Sequence, residues 1–483
     1  MATINSAFDI ISSALNADQS ALNIVANNVA NANTTGYTRE TPTWNESAPA
    51  QINGVSYGTG VTQTGPGSVR DNVLNQRLAQ QQQLASGTGA RLSALNTLQA
   101  LFTPDSGSAG ATAGDIGSDL TSFFNSFSSL EANPTDDPLR QQVLSAATTL
   151  AGDMSNTAAS IVSQQASLDQ EATGVVTQVN ALTSAIAQLN QQIQAGSSSG
   201  GSATLEDQRQ QDIAQLSQLI GVNQVRTENN GLSLTTTSGA LLVSSGTSFA
   251  ISSGTSGGVT HLFLGATDET AALTQGGGEL AGLLTVRDQD IPNALIALDQ
   301  ESYSIATAVN AQNNAGTNLN GVEGTGTNAA GITGTGLSPL YIFAQPAQIA
   351  GSALAMNVVM TDPSQIAAAS FGNGTGDNSN VVAMASLATQ AIVNGQTPSN
   401  SYSQFISDLG SAVSEAQIES TAQSASVTQL QTQQNALSGV SLNDEAVAMQ
   451  QFERSYQAAS QVFSMLNTMM GSALNLGVET AVS

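Results

Sequence analysis

Side chains that could perform catalysis or bind a metal are scarce in this chain of 483 residues. It has one histidine, His261, and no cysteine, so it lacks a thiolate nucleophile and has too few ligands for a zinc site. His261 lies among large apolar residues in a pattern typical of a strand, whereas a catalytic triad requires a histidine beside a serine at a nucleophile elbow. We therefore interpret His261 as structural.

Acidic residues are more numerous, but their positions are typical of turns, helix ends and helix surfaces. Neighbouring acids occur at Asp136 with Asp137, at Asp268 with Glu269 and at Asp288 with Asp290. A glycosidase holds two carboxyl groups in a cleft, and no cleft-forming aromatic cluster accompanies these pairs. A P-loop is impossible without lysine. We predict no catalytic residue, no cofactor and no metal.

The charge balance argues against anionic partners. All nine basic residues are arginine, scattered from Arg39 to Arg454, and 35 acidic residues bring the net charge to −26. Phosphate backbones and anionic lipid surfaces would be repelled, so we predict no nucleic-acid and no membrane partner. The first residues do not resemble a secretory signal peptide, and no apolar run approaches the roughly 20 residues of a membrane span.

The elements that organise the chain are predicted helices at its two ends. In the C-terminal stretch, apolar residues recur at steps of three and four, which is a heptad pattern. The N-terminal stretch repeats this pattern, except where Asp18 occupies an apolar position. A lone helix with one apolar stripe is unstable in water, so the two stripes are expected to pack against each other or against another subunit.

Two sequence motifs at these ends resemble a known family. The first runs from Leu22 to Arg39 and reads LNIVANNVANANTTGYTR, and the second begins with SGVSLNDE at Ser438 and continues through Phe452 and Tyr456. Both are similar to the terminal signatures of the bacterial flagellar rod, hook and hook-associated proteins. The chain departs from the family pattern at Thr35 and at Asn443 with Asp444, positions that lie outside the apolar stripes.

The resemblance implies an assembly interface at the termini. Seam residues would hold the terminal helices together, and asparagine side chains would offer amides to neighbouring subunits. We expect both termini to be disordered in the free subunit and to fold into paired helices on assembly. The predicted interface comprises Phe8, Ile11, Leu15, Leu22, Asn27, Asn28, Asn31, Leu442, Phe452, Tyr456, Phe463 and Leu466.

The middle of the chain is predicted to be mainly helical with a β insert, giving a multidomain α+β fold. Helical spacing covers residues 71–102, 139–194, 205–220, 279–312 with a break near Pro292, and 402–437, whereas 37–70 is expected to be extended. Period-two alternation predicts short strands at 222–275. Residues 340–360 also look like strands, and a loop rich in Gly, Thr and Asn covers 313–339.

We therefore predict three domains, each built from two separated segments of the chain. Residues 1–40 and 438–483 would form a terminal coiled-coil assembly domain. Residues 41–221 and 279–437 would form a helical bundle with an extended arm. Residues 222–278 and about 338–362 would form a small antiparallel β-rich insert.

The resemblance also implies a function. We expect a secreted, non-enzymatic component of the flagellum at the junction between hook and filament, exported unfolded by the flagellar type III apparatus. Its partners would be further copies of itself in a ring, the hook protein, a neighbouring hook-associated protein and an export chaperone on the C-terminal helix. The alternatives are a rod or hook protein, a secreted cell-wall-cleaving enzyme, or an adhesin that uses flagellar export.

Overall fold

The computed structural model describes residues 2–34, 36–52, 55–102, 115–196, 203–226, 231–256 and 259–479. Its helices are α1 (Ala2–Ala30), α2 (Asn72–Ala100), α3 (Ile116–Glu131), α4 (Asp137–Gly196), α5 (Ala203–Leu219), α6 (Thr270–Thr274), α7 (Gly278–Thr285), α8 (Ile291–Asn313), α9 (Ser352–Ala355), α10 (Ser379–Ser386), α11 (Pro398–Ser438) and α12 (Leu442–Glu479).

Its strands are short and antiparallel. They are β1 (Glu40–Glu46), β2 (Ala50–Ile52), β3 (Val55–Tyr57), β4 (Val61–Ser68), β5 (Val222–Arg226), β6 (Leu232–Thr236), β7 (Leu241–Ser244), β8 (Thr247–Ser248), β9 (Ile251–Ser256), β10 (Val259–Leu264), β11 (Thr267–Asp268), β12 (Gly316–Thr317) and β13 (Ala369–Ser370). The predicted fold class, mainly helical with a small antiparallel β insert, is confirmed.

The middle of the chain is a helical bundle with one continuous apolar core. Helix α2 packs against α11 and α7, and α4 packs against α3 and α5. Small residues allow the closest approach: a Cβ added at Gly282 of α7 would lie 2.2 Å from the Gly87 carbonyl oxygen of α2. Because helix backbones can approach so closely only without side chains between them, these glycines set the spacing of α2 and α7.

Helices α7 and α8 are joined by a π-helical turn, Val286–Asp290, where the sequence predicted a break near Pro292. Proline removes a backbone donor, and it is tolerated here because it occupies the first turn of α8. The turn carries the buried Arg287, whose Nη1 donates to Asp169 Oδ1 at 2.6 Å and to the Thr260 carbonyl at 2.9 Å. This arginine ties the bundle to strand β10.

The β insert consists of two sheets, with strand orders β5-β6-β7-β8 and β9-β10-β11. It rests on the C-terminal half of α4: the Asn190 Nδ2 donates to the carbonyls of Leu232 and Ser245 at 2.8 and 2.7 Å. The strands predicted within 222–275 are therefore confirmed, ending at Asp268, after which α6 begins.

The strands predicted at 340–360 do not form, and that prediction is wrong. The structure has one isolated bridge there, between Phe343 and Val358, and the short helix α9. The backbone N–H groups of Ile342 and Phe343 donate to Asn310 Oδ1 of α8, both at 3.0 Å, so a side chain supplies the acceptor that a neighbouring strand would offer. This segment packs on α8 and α4, and the division into three domains stays a prediction.

The segment expected to be a loop, 313–339, contains two similar ten-residue turns in tandem. Residues 317–326 read TNLNGVEGTG and residues 327–336 read TNAAGITGTG. In each, the second residue's carboxamide oxygen accepts two backbone N–H groups: Asn318 from Asn320 and Val322, and Asn328 from Ala330 and Ile332. The fifth residue, Gly321 or Gly331, has φ of 73° or 79°, which favours glycine.

Candidate assembly site

The two terminal helices pack against each other in antiparallel orientation. The ring of Phe8 near the start of α1 meets that of Phe463 in the second half of α12, with centroids 5.2 Å apart and planes at 90°. At the other end of the pair, Asn28 contacts Glu445. Edge-to-face aromatic pairs add about 0.5–1.5 kcal/mol beyond their buried area, so the Phe8–Phe463 contact helps to fix the register.

The extended arm completes the apolar contact of α12. Trp44 of β1 meets Phe452 with ring centroids 6.0 Å apart and planes at 82°. Strand β4 of the same hairpin is linked to α1, because the Gln63 side-chain amide donates to the Ser20 hydroxyl. The arm therefore braces both terminal helices, a role for Trp44 that helix periodicity could not indicate.

The seam of the helix pair is only partly covered. The predicted seam residues Phe8, Ile11, Leu15, Leu22, Phe452 and Leu466 are half-buried, and Tyr456 and Phe463 remain 37% and 38% exposed. Leu442, the first residue of α12, is 56% exposed, so the structure does not bring it into the contact. Asp18 is buried at the N-terminal seam, in agreement with its place in the heptad pattern.

A polar cluster closes the base of the helix pair. We call it the clasp, and it consists of Asn28, Tyr37, Arg39, Glu40 and Glu445. The Asn28 Nδ2 donates to the Glu40 carbonyl at 2.8 Å and to Glu445 Oε2 at 3.0 Å. Its Oδ1 accepts from the Tyr37 hydroxyl at 2.8 Å and from the Glu40 N–H at 3.0 Å. All four hydrogen-bonding positions of the carboxamide are thus occupied.

The charges of the clasp are paired across the two termini. The Arg39 Nε donates to Glu445 Oε1 at 2.7 Å, and the Glu445 side chain is 1% exposed. A buried carboxylate without a partner is costly, so Arg39 and Asn28 together make burial of Glu445 possible. A backbone hydrogen bond also links the two termini, because the Arg39 N–H donates to the Ser438 carbonyl at 3.0 Å. Burial raises the pKa of the Tyr37 hydroxyl, which keeps it a neutral donor.

A second polar cluster joins the clasp to the bundle. The Thr38 N–H donates to Asp207 Oδ2 of α5 at 3.2 Å, and Arg70 pairs with Asp207 and with Glu206, the latter at 2.9 Å. Burial and the nearby Asp207 charge raise the pKa of Glu40, the carboxyl between the two clusters. The orientation of the terminal helices relative to the bundle is consequently fixed by specific ion pairs.

The predicted role of the three asparagines requires a correction. Asn28 is 1% exposed and bonded only within the chain, so it is not available to neighbouring subunits. Asn27 is exposed and Asn31 half-buried, and both also bond locally: the Asn31 Nδ2 donates to Asn27 Oδ1 at 2.9 Å. Asn28 is internal because the chain turns back at Gly36 and lays the arm over it.

Helix α12 carries a second apolar stripe that α1 does not cover. Val447, Val462, Met465 and Met469 are 67%, 40%, 58% and 60% exposed. At 100° per residue these four positions fall within about 60° of one another, and they lie roughly 110° around the helix from the seam. We call this set the outer stripe. An apolar stripe on a solvent-facing helix indicates a contact surface.

The chemistry-bearing residues singled out from the sequence do not converge. The ring nitrogen Nδ1 of His261 lies 2.7 Å from Asp268 Oδ2 on the insert surface, where both side chains are partly exposed. Within the described ranges, no group of three or more His, Cys, Asp or Glu side chains is arranged to hold a metal ion. None of the described helices has the combination of length and apolar character needed to cross a lipid bilayer.

The apolar spacing of the sequence does not predict three interface residues, Glu445, Arg39 and Tyr37. All three stand inside the two terminal motifs. The sequence did contain an indication, because the first motif carries a basic residue, Arg39, and the second an acidic one, Glu445, and the two form an ion pair. Periodicity could not reveal it, since it reports apolar faces and not polar pairs between distant segments.

Three family models match the chain in order. The flagella basal body rod protein model matches residues 8–38, the helical domain model of flagellar hook-associated protein FlgK matches 104–328, and the C-terminal model of the flagellar basal body rod FlgEFG proteins matches 433–476. The two terminal matches contain most of the helix pair and the clasp. The central match contains α3 to α8 and the β insert.

Curated relatives cover almost the whole chain. Flagellar hook-associated protein 1 of Salmonella typhimurium is 26% identical over 550 aligned positions, covering 96% of this chain and 98% of that protein. The protein of the same name from Bacillus subtilis is 25% identical, with 96% of each chain covered. The solved structure of the flagellar hook junction protein FlgK from Burkholderia pseudomallei has the same fold, with a TM-score of 0.63, 19% identity, and coverage of 75% of this chain and 100% of that one.

Proposed function

We propose that this chain, which belongs to the flagellar hook-associated proteins, is a structural subunit of the junction between hook and filament and acts by assembly without catalysis. It is then an extracellular part of the flagellum. Its partners are further copies of itself in a ring, the hook protein and the neighbouring hook-associated protein. The terminal helix pair is the part that joins these neighbours.

The observation that supports this proposal is the outer stripe of α12. The helix pair covers one apolar stripe and leaves Val447, Val462, Met465 and Met469 facing outwards. Burying a large apolar side chain contributes about 1.5–3 kcal/mol, so contacts with neighbouring subunits would add substantially to the stability of the terminal helices. In a packed tube of subunits, each outer stripe has a neighbour's helix to meet.

The experiment is to replace the outer stripe and examine hook ends. In a strain lacking the native subunit, M465S/M469S is expected to fold and to be exported, yet to leave bare hooks and detached filaments in electron micrographs. The matched control is I418S, because Ile418 is 69% exposed on the long helix α11. Normal junctions with M465S/M469S, or equal loss with I418S, would contradict the proposal.

The exported form is proposed to have unstructured termini. Residues 1–40 and 438–483 then close into the helix pair when the subunit joins the ring. The half-exposed seam supports this, since a two-helix pair with little buried area is marginal on its own. Amide exchange on the free subunit tests it: fast exchange in both terminal helices is expected, and slow, protected exchange there would overturn the proposal.

The C-terminal helix is also proposed to bind an export chaperone before assembly. Both apolar stripes of α12 are uncovered while the helix pair is open, and an uncovered amphipathic helix is prone to aggregate unless a partner groove receives it. A pull-down with the full chain and with a variant ending at residue 437 tests this. Chaperone bound equally by both would exclude the helix as its site.

A rod or hook protein is the alternative within the family. Those proteins share the terminal signatures, and we expect their central sequence to be mostly β. Here the described middle is largely helical, from α2 to α5 and from α7 to α11. This favours the hook-associated role. A cell-wall-cleaving enzyme or an adhesin gains no support from the geometry of the described residues.

A further inference from the structure

The start of α11 packs against the helical bundle through aromatic side chains. Tyr402, in its first turns, is 7% exposed, and its ring lies 6.3 Å from that of Phe405. Phe405 meets Phe102 at 4.9 Å. Gly117 of α3 lies against the tyrosine, since a Cβ there would be in ordinary van der Waals contact with the ring at 3.5 Å. The contact is close-packed, so the charge state of groups inside it affects whether it stays closed.

Two carboxyl groups meet beside this contact. Asp119 of α3 lies in hydrogen-bonding contact with Asp153 of α4. Its Oδ2 is buried, and no N–H or hydroxyl donor of the described residues reaches it. Two carboxylates cannot hydrogen-bond to each other unless one of them carries a proton. A proton on Asp119 allows this contact and removes the unpaired charge at its buried Oδ2.

A third carboxyl lines the same cavity as Tyr402. Glu301 of α8 is 2% exposed and is in hydrogen-bonding contact with the Ser401 side chain, while its Oε1 has no partner among the described residues. It lines a cavity of about 440 Å³ between α8 and the start of α11. An ionised carboxylate with a bare oxygen is costly in this position. The cavity gives water a route to Glu301 if this helix end moves.

The charged surroundings do not compensate these carboxyls. Asp115 at the start of α3 faces Asp119, and Asp115, Asp119 and Glu301 all act on Tyr402. Around the cavity, Asp408 of α11 is acidic, and the charge of Asp290 is already balanced by Arg91 of α2 at 3.2 Å. Burial raises the pKa of Asp119 and of Glu301 to about 7 in each case, and it raises the pKa of Tyr402, which stays neutral.

We propose that the start of α11 is a proton-controlled latch. With Asp119 and Glu301 both protonated, the first turns of α11 stay docked on α3 and α8. When both protons leave, the repulsion between carboxylates and their need for water displace this end of the helix. The latch is independent of the junction role, because it lies in the bundle, away from the terminal helices.

The direction of the pH effect follows from the raised pKa values. A carboxyl that binds its proton more tightly when docked stabilises the docked state fully below its solvent-exposed pKa, near 4, and this contribution is lost as pH rises through about 7. Acidic conditions therefore close the latch and neutral to alkaline conditions open it. Each full pKa unit corresponds to a tenfold change in the opening equilibrium.

The test is amide hydrogen exchange of the full chain at pH 5 and pH 8, with each rate divided by the intrinsic rate at that pH. We expect the corrected rates of residues 399–409 to be about tenfold or more higher at pH 8. Amides of the insert strands β6 and β7 are the internal reference. The corrected rates of these strands should change little between the two pH values. Because the reference lies in the same chain, wild-type protein alone shows whether the effect is confined to residues 399–409.

Variants identify the groups responsible. D119N/E301Q is expected to exchange equally at both pH values, and D408N, an exposed carboxyl on the same helix, is expected to behave like wild type. Corrected rates of residues 399–409 that are the same at pH 5 and pH 8 in the wild type would overturn the latch. So would an undiminished pH effect in D119N/E301Q.

Discussion

The side-chain nitrogen of Asn28 lies 3.0 Å from Glu445 Oε2, although 417 positions separate the two residues in the sequence. This contact joins the two terminal motifs of the family. Both groups are buried, at 1% exposure each, so neither can exchange its partner for water while the clasp is closed. The terminal motifs are therefore parts of one polar cluster, in addition to being the ends of two apolar helices.

Removing the Asn28 side chain should open the clasp. N28A leaves the Glu40 N–H, the Tyr37 hydroxyl and one Glu445 oxygen without their partner, and each buried unpaired group costs about 1–3 kcal/mol. Because the helix pair is proposed to close as the subunit joins the ring, we expect N28A to fail to enter the flagellum, measured by labelling of hook ends. N23A is the control, because Asn23 is exposed on the same helix and is not part of the clasp. Normal incorporation of N28A would show that the clasp is dispensable.

The only tryptophan reports on the arm and the helix pair. Trp44 lies edge-on to Phe452, so F452A should shift its fluorescence emission towards that of solvated indole. I418A on α11 should leave the emission unchanged, because Ile418 is 69% exposed and lies outside the helix pair. The measurement uses assembled subunits, in which we propose that the pair is closed. An identical spectrum for F452A and wild type would place Trp44 away from α12.

Two glycines should respond oppositely to the same substitution. G282A introduces a Cβ 2.2 Å from the Gly87 carbonyl oxygen, so we expect the bundle to lose about 2 kcal/mol or more by overpacking. G174A, in the interior of α4 with nothing within 4 Å, should gain about 0.5–1 kcal/mol from better helix propensity. Thermal unfolding followed by circular dichroism compares them. Destabilisation by G174A would contradict the described packing.

The two tandem turns should depend unequally on their asparagines. Each carboxamide accepts two backbone N–H groups, but Asn318 is 3% exposed and Asn328 is half-buried. Water can replace a lost partner only where it has access, so N318A should cost about 1–3 kcal/mol and N328A clearly less. Local amide exchange measures both. A329S, at an exposed position, is the control, and equal effects of the two asparagine variants would count against the turn geometry.

The sequence predicted the large helices because their apolar spacing is long and regular. Helix α4 was expected at 139–194 and covers Asp137–Gly196. The strand prediction failed at 340–360, because Asn310 supplies the hydrogen bonds that a neighbouring strand would offer. Periodicity also passed over the tandem turns, although their ten-residue repeat stands in the sequence at 317–336 and needed only a search for self-similarity.

Helical periodicity predicted the apolar residues of the assembly site but not the polar residues that pair between distant segments. Helical spacing predicted Phe8, Phe452 and Phe463, each on the apolar stripe of its own helix. All three make aromatic contacts. Asn28 was predicted to offer its side-chain amide to a neighbouring subunit. Its burial follows from the arm crossing over it, which depends on a turn at Gly36 and not on any periodic pattern.

The nesting of segments along the chain has a consequence for synthesis. The strands of the insert, β5 to β11, are contiguous, so they can pair soon after they leave the ribosome, whereas α2 must wait for α11 and α1 must wait for α12. A chain whose synthesis stalls before Glu445 can thus contain a folded insert but not a closed clasp. Under the proposed assembly role, closure of the clasp requires a chain made at least as far as Glu445, so shorter fragments are excluded from the ring.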